Sequence, residues 1–332
     1  MDGSRHAPIG PKTSTVKVAI VGAGMAGLAA ARVLVDRGVR VVLFDKGRGV
    51  GGRCASRGRD LGGFDHGAQR FSARSQRFAS LVHGWAAEGH VVPIRAPRDE
   101  ETWWLPTPSM NALPVRLAAG LEVRSSTRAR ALVRRDRAWW LGLEGAPDAG
   151  PFDVVVLTPP APQSLALLAP HGVFVDALET IRLAPCWALT LACDASSATA
   201  LSDAIFTEDD ADPVITLLAR EGRKPGRAAE GPLVRLVLYA STAFSTEHLE
   251  RDAEDVARRL VLALQARDGL EALRVRFAHA HRWRFARVSR ALGEPCLFDR
   301  SRGLGVAGDG LLGPRIEAAW TSGEAIADAI TS

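Results

Sequence analysis

Gly22, Gly24 and Gly27 stand in the spacing G-x-G-x-x-G directly after the apolar run 16–21, and an Ala/Leu-rich stretch follows to about Arg37. At such a strand–turn–helix, the first glycine allows a tight turn. The second lets the backbone approach a pyrophosphate, and the third lets helix and strand pack closely. The pyrophosphate meets the free amides and the positive end of the helix. Asp45 ends the next apolar run, 39–44, where a carboxylate can accept hydrogen bonds from a ribose diol. This is the chemistry of a dinucleotide grip, and it serves NAD and FAD alike. The alternative is a glycine-rich turn with no ligand, against which the flanking strand, the helix and Asp45 all argue.

A second glycine- and arginine-rich segment follows, Lys46-Gly-Arg-Gly-Val-Gly-Gly-Arg-Cys-Ala-Ser56. Gly51 and Gly52 admit the backbone to a cofactor, and Arg53 can neutralise phosphate; a flexible arginine-rich loop is the alternative. Farther on come Phe64-Asp65-His66-Gly67-Ala68-Gln69-Arg70-Phe71 and His281-Arg282-Trp283-Arg284-Phe285-Ala286. Near the C-terminus stand Val306-Ala307-Gly308-Asp309 and Pro314-Arg315-Ile316-Glu317-Ala318-Ala319-Trp320.

These motifs, in this order, resemble the flavin-containing amine oxidase superfamily, whose second motif has the form R-x-G-G-R-x-x-S. More narrowly they resemble the bacterial renalase-like flavoproteins, over residues 16 to 330. The resemblance implies an α/β fold: an FAD-binding Rossmann-like domain with an interleaved antiparallel-sheet substrate domain, similar to p-hydroxybenzoate hydroxylase. It implies non-covalent FAD held by Gly22, Gly24, Ala26, Gly27, Asp45, Lys46, Gly52, Arg53, Gln69, Arg70, Gly308, Asp309 and Ile316. In that family the aspartate at 309 bonds the ribityl or pyrophosphate part of FAD. The helix starting near Pro314 points its N-terminus at the flavin pyrimidine end, where a positive helix end stabilises reduced flavin. The family usually has Tyr in place of Arg70 and Trp in place of Gly310, so the pocket departs from the pattern there. The implied reaction is hydride transfer to flavin N5 from 2- or 6-dihydroNAD(P), with dioxygen reoxidising the flavin to give hydrogen peroxide.

Many amine oxidases of the superfamily place a lysine beside N5 and cage the amine between aromatic rings, frequently tyrosines. The chain has four lysines. Lys12 falls in the leader, Lys17 and Lys46 in the nucleotide unit and Lys224 in the polar stretch EGRKPGR, so none is expected at the flavin. Tyr239 is the single tyrosine. Hydride removal from a dihydropyridine asks for neither group, because the ring regains aromaticity and the site mainly positions it. Gln69, His281, Trp283 and Arg315 are the candidate catalytic residues, with Trp187 and Trp320 in the substrate pocket. Each has a plainer alternative: Trp187 and Trp283 as core, His281 as a structural histidine, Arg315 at phosphate or the helix start. An amine oxidase or desaturase on the same scaffold, or a non-enzymatic flavin-binding protein, competes with the dihydronicotinamide reading.

Elements of ordinary globular composition must hold these residues. Of 332 residues, 47% are hydrophobic and 24% charged, enough to build a core without staples. The net charge of +5 comes mostly from scattered arginines with no basic block, which argues against nucleic acid. The row of arginines over 124–137 reads as a solvated strand face. Cys54, Cys186, Cys193 and Cys296 form no C-x-x-C pair, so neither a disulfide framework nor a zinc site is expected. No apolar run approaches a membrane span, residues 1–15 read as a disordered leader, and a cytoplasmic protein is expected. Helices are expected over 28–37, 75–87, from a Ser109 cap to Ala119, 247–266 and 314–330. Strands are expected over 39–44, 121–124, 128–134, 138–143, 152–157, 186–192, 214–219, 233–239, 275–284 and 304–308, with a proline-punctuated loop over 93–108. Residues 16–80, 107–162 and 295–330 are expected to form the FAD-binding domain, and 81–106 and 163–294 the substrate domain.

Overall fold

The computed structural model describes residues 16–96 and 101–332, so the expected leader, with Lys12, lies outside the described residues. Its central sheet has six strands in the order Leu297–Asp299, Leu304–Val306, Val154–Leu157, Lys17–Val21, Arg40–Phe44, Glu122–Arg124. The last five run parallel; Leu297–Asp299 alone is antiparallel, on the edge. Parallel strands covered on both faces must be apolar throughout. Ala19, Ile20, Val155, Val156 and Leu157 are fully buried.

Two helices cover the sheet where the glycine motif lies. Helix Met25–Asp36 follows the first strand directly, and Gly38 (φ +78°) ends it. The C-terminal helix Ile316–Thr331 crosses it so closely that a Cβ on Gly323 would lie 2.2 Å from the Ala26 carbonyl oxygen. Helix Gln76–Ala87, capped by Ser75 Oγ, is tied to the C-terminal helix by Glu317, which accepts from the Arg74 and Ser75 amides, and by the Arg77–Glu324 pair.

The second large sheet is antiparallel, in the order Phe206–Glu208, Ile215–Arg220, Leu233–Ala240, Arg182–Asp194, Val275–Arg290. Helix Ala253–Gln265 packs its Val256, Leu260 and Leu264 on one face. The edge strand Val275–Arg290 has 16 residues, about 50 Å at ~3.3 Å each. That length carries His281 and Trp283 to the parallel-sheet unit, and Arg282 and Arg284, paired with Glu250, blunt the outer edge. Two three-stranded antiparallel sheets complete the fold, Phe71–Ser72/Thr102–Pro106/Val91–Arg95 and Ala129–Arg135/Ala138–Leu143/Ala149–Phe152. The chain is thus a Rossmann-like α/β unit interleaved with an antiparallel sheet, as expected.

Local expectations fail in identifiable ways. The proline-punctuated loop at 93–108 contains two paired strands, with Pro93 on an outer strand where a missing N–H costs nothing. The helix expected over 247–266 starts late, at Ala253–Gln265, because Asp252 accepts from the Glu254 and Asp255 amides and caps it, and a separate short helix, Thr242–Glu247, precedes it. The helix expected from Ser109 is Ala112–Leu117, and Ser109 Oγ instead donates to Asn111 Oδ1 at 2.7 Å. The strand expected over 152–157 breaks at Asp153, which exchanges hydrogen bonds with Lys17. Helices Ala161–Leu168 and Val175–Thr180 were not expected at all.

Candidate active site

Gly22 has φ +100°, and a Cβ there would stand 2.5 Å from Thr158 Oγ1; a Cβ on Gly27 would stand 2.0 Å from the Gly22 carbonyl oxygen. At Gly24, by contrast, a Cβ meets nothing within 4 Å. Two glycines are therefore required by packing, and the third leaves open space at the start of helix Met25–Asp36. That is the cradle a pyrophosphate needs. The second motif is joined to the first: the Gly51 amide donates to the Ala23 carbonyl at 2.8 Å. Asp45 gathers both loops, Oδ2 accepting from Ala23 N and Oδ1 from Gly47 N, each at 2.6 Å. Lys46 Nζ lies 3.2 Å from Gln163 Oε1.

Arg53 reaches the C-terminal motif. Its guanidinium meets the Asp309 carboxylate through two bonds, 2.8 and 2.5 Å, and donates to the Ala286 carbonyl at 3.1 Å. Gly308 (φ +150°) turns the chain into Asp309, and its amide donates to Ser322 Oγ. Arg315 is exposed at the N-cap of the C-terminal helix and Ile316 is its first residue, half-buried. Pro314 therefore sits just before the helix rather than in its first turn. The open glycine cradle, the acid at the second strand and the arginine at the second motif fit a dinucleotide cofactor.

On the antiparallel sheet, Ala188 pairs with both Tyr239 and His281, and Cys186 with Trp283, so these side chains share one face. That face meets the loop carrying His66, Gly67 and Gln69. The His66 ring stacks on Trp283 (centroids 5.5 Å, 25°) and stands edge-on to His281 (4.9 Å), which contacts Trp283 at 4.5 Å. Trp283 Nε1 donates to the His66 carbonyl, and Arg57 Nη2 lies 2.8 Å from His281 Nδ1. Burial, reinforced by the Arg57 charge, pushes His66 down to about 3 and His281 down to about 4. Both imidazoles are neutral at pH 7. The three rings form an uncharged aromatic corner.

Beside it lies a buried ionic cluster that the sequence reading did not foresee. Lys224, expected in a polar loop, is 2% exposed. Its Nζ bonds Asp65 Oδ2 at 3.1 Å, Glu221 Oε1 at 2.6 Å and Gln69 Oε1 at 2.6 Å. Arg227 adds a second cation on Asp65. Burial alone would raise Asp65, but Lys224 and Arg227, with the Ser56 hydroxyl and the Met110 amide, hold it down to about 2. Glu221 goes the other way: burial raises it, outweighing Lys224. Gln69 is fixed from both ends, its Nε2 donating to the Asp65 carbonyl. Tyr239, whose phenol burial raises, donates to the Gly67 carbonyl.

The structure thus brings Gln69, His281 and Trp283 together and separates Trp187 and Trp320 from them. Trp187 lies on the opposite face of the sheet, 2% exposed in the core under helix Ala253–Gln265, its Nε1 bonded to the His248 carbonyl. Trp320 packs with Phe78 and Trp85 between helices. Arg70 lies over the Trp103 ring at 3.5 Å and pairs with Glu208. His66 and Arg57 were missed because a sequence cannot show that residue 66 meets residue 281. For Lys224 the available signal was Glu221 three residues before it. Among the described residues no group of His, Cys, Asp and Glu converges as a metal site, and no helix is long and apolar enough to cross a membrane.

Residues 20–84 match the family of NAD(P)-binding Rossmann-like domains. A 38-residue stretch is 58% identical to carotenoid phi-ring synthase of Streptomyces griseus, covering 11% of this chain and only 7% of that protein. Solved structures align over nearly the whole chain at low identity. A protein assigned as a protoporphyrinogen oxidase from Exiguobacterium sp. aligns over 96% of this chain and 99% of its own, with TM-score 0.72 at 15% identity. Cyclohexylamine oxidase from Brevibacterium oxydans aligns over 95% and 98%, with TM-score 0.69 at 13%. Putrescine oxidase with putrescine bound aligns over 96% and 99%, with TM-score 0.66 at 13%.

Proposed function

We propose that the chain is an FAD-dependent oxidase that takes hydride from 2- or 6-dihydroNAD(P). When bound, FAD would supply the two-electron acceptor chemistry by which dihydroNAD(P), dioxygen and one solvent proton become aromatic NAD(P)⁺ and hydrogen peroxide. Gly22, Gly24, Gly27 and the start of helix Met25–Asp36 hold the pyrophosphate, Asp45 the adenosine ribose, and Arg53 with Asp309 the inner half of the cofactor. Gln69, locked by Lys224 and the Asp65 carbonyl, presents a fixed amide to the ring system. His66, His281 and Trp283 orient a flat substrate ring.

The observation that carries this reading is the uncharged corner of His66, His281 and Trp283 beside a fully engaged Lys224. All three ammonium protons of Lys224 have acceptors, and both imidazoles resist protonation. Such a site offers stacking and orientation, which a dihydropyridine needs, and no free ammonium for other work. Anaerobic mixing of the FAD-loaded protein with 2-, 4- and 6-dihydroNAD(P) tests it: the 2- or 6-isomer should bleach the flavin rapidly and the 4-isomer slowly. A flavin untouched by every isomer ends the proposal.

Amine oxidation is the second reading. It is favoured by the burial of Lys224 against Gln69 and by the likeness of fold to cyclohexylamine and putrescine oxidases. Bleaching by simple amines, with no response to the isomers, selects it.

A further inference from the structure

Among the described residues, Arg57 is a half-buried arginine whose guanidinium meets neither a carboxylate nor a backbone carbonyl. Arg53 pairs with Asp309, Arg70 with Glu208, Arg220 with Glu230 and Arg227 with Asp65. Among the described residues, Arg57 has one side-chain partner, His281 Nδ1 at 2.8 Å, and the charge that acts on it is Arg48, of the same sign. An imidazole nitrogen occupies one N–H of a guanidinium and neutralises none of its charge. The position is nonetheless fixed: Arg57 and Phe64 exchange both backbone hydrogen bonds (2.9 and 2.8 Å), and His281 comes from the other sheet. Next to it His66, 6% exposed, has a buried Nδ1 with no hydrogen-bond partner. Desolvating an unpaired cation is costly, so a rigid half-buried guanidinium with free N–H groups and a second arginine nearby is a receptor for an anion.

We propose that Arg57, held by His281 where the two sheets meet, anchors a phosphate of the substrate and so selects nucleotides over their uncharged ribosides. This rests on the dihydronicotinamide reading above. The ring would stack in the corner of His66, His281 and Trp283, and the phosphate would bind to Arg57 on the solvent side. The same chemistry could serve the cofactor's own pyrophosphate, so the test separates the two sources.

With FAD-loaded protein, flavin reduction is followed against 6-dihydronicotinamide mononucleotide and 6-dihydronicotinamide riboside. The mononucleotide should half-saturate at a concentration at least tenfold lower. Arg57→Gln should collapse that preference, the loss of a charge-assisted pair amounting to on the order of ten- to a hundredfold, and Arg57→Lys should restore part of it. In parallel, inorganic pyrophosphate is titrated into FAD-loaded protein by calorimetry, and FAD into the apoprotein. Pyrophosphate binding that Arg57→Gln weakens at least tenfold, with FAD affinity kept, supports the site even if no dihydronicotinamide reduces the flavin; that outcome fells the substrate reading alone. Equal half-saturation by mononucleotide and riboside overturns the inference. So does a variant that loses FAD affinity while keeping its preference, or pyrophosphate binding that the substitution does not change.

Discussion

His66 is where acid should first act on the folded chain. Its ring is 6% exposed, and burial with the Arg57 charge pushes it down to about 3, whereas an unfolded chain titrates it near 6.5. The unfolded state then binds a proton that the folded state refuses, so stability falls as pH drops from 6.5 toward 3. From pH 6.5 to 5 the loss is about 2 kcal/mol for this residue. His281, more exposed, acts in the same direction through a folded value of about 4. Asp65 acts in the same direction in a lower window: its contribution is complete above about pH 4 and is lost as pH falls through about 2. Urea unfolding at pH 7.5 and 5.0 checks the assignment. His66→Phe keeps an aromatic ring and should lose less stability between the two than the parent, and equal losses would show that His66 takes up its proton within the fold. Asp45 allows a second test. It accepts from amides of both glycine loops, so Asp45→Ala should weaken FAD binding roughly tenfold or more, with turnover recovered at saturating FAD. A variant still inactive when saturated would give Asp45 another role.

Among the elements, the crossing of helix Met25–Asp36 with helix Ile316–Thr331 bears most directly on the proposed cofactor, because the first of these starts at the open glycine cradle. Gly323→Val would drive a methyl-bearing carbon against the Ala26 carbonyl, 2.2 Å from a bare Cβ. Overpacking of this kind costs about 1–3 kcal/mol, and the displaced helix should also release FAD. Thermal melts of apo- and holoprotein should show both a lower Tm and a smaller FAD-induced rise; an unchanged rise would mean the crossing is independent of the grip. This pair of helices was legible in the sequence, since Gly-x-Gly-x-x-Gly after an apolar run and an Ala-rich C-terminal stretch each specify local structure. The strands at 91–95 and 102–106 were not, because prolines that mark a loop by propensity are tolerated on an outer strand, as at Pro93, or at a strand's last residue, as at Pro106 of the middle strand. The late start of helix Ala253–Gln265 was missed for a local reason: the Asp252 carboxylate caps it, after a mostly polar stretch, 248–252, that propensity alone does not exclude from a helix.

At the scale of the whole molecule, the two sheets are joined by polar contacts between residues far apart in the chain: Trp283 to His66, Arg53 to the Ala286 carbonyl, and Lys224 to Asp65 and Gln69. No local pattern announces such pairs. Lys224 looked solvated because its neighbours in sequence are polar, and it is buried because acids from two segments surround it. Its role decides between the two chemical readings. If it is an organising ion, Lys224→Met leaves Asp65 with Arg227 alone and Glu221 with no cation bonded to it, a change that costs about 3–5 kcal/mol for a buried pair. Glu221→Gln in the same chain removes one orphaned carboxylate and should recover part of that loss, giving a coupling above about 0.5 kcal/mol in a double-mutant cycle. The double variant, once loaded with FAD, should still be reduced by 6-dihydroNAD(P), because stacking in the corner of His66, His281 and Trp283 needs no free ammonium. Urea denaturation of the four proteins gives the coupling, and stopped-flow reduction gives the rate. Full stability in Lys224→Met, with amine-driven reduction lost by a hundredfold or more, would instead assign the lysine to the substrate and turn the molecule into an amine oxidase.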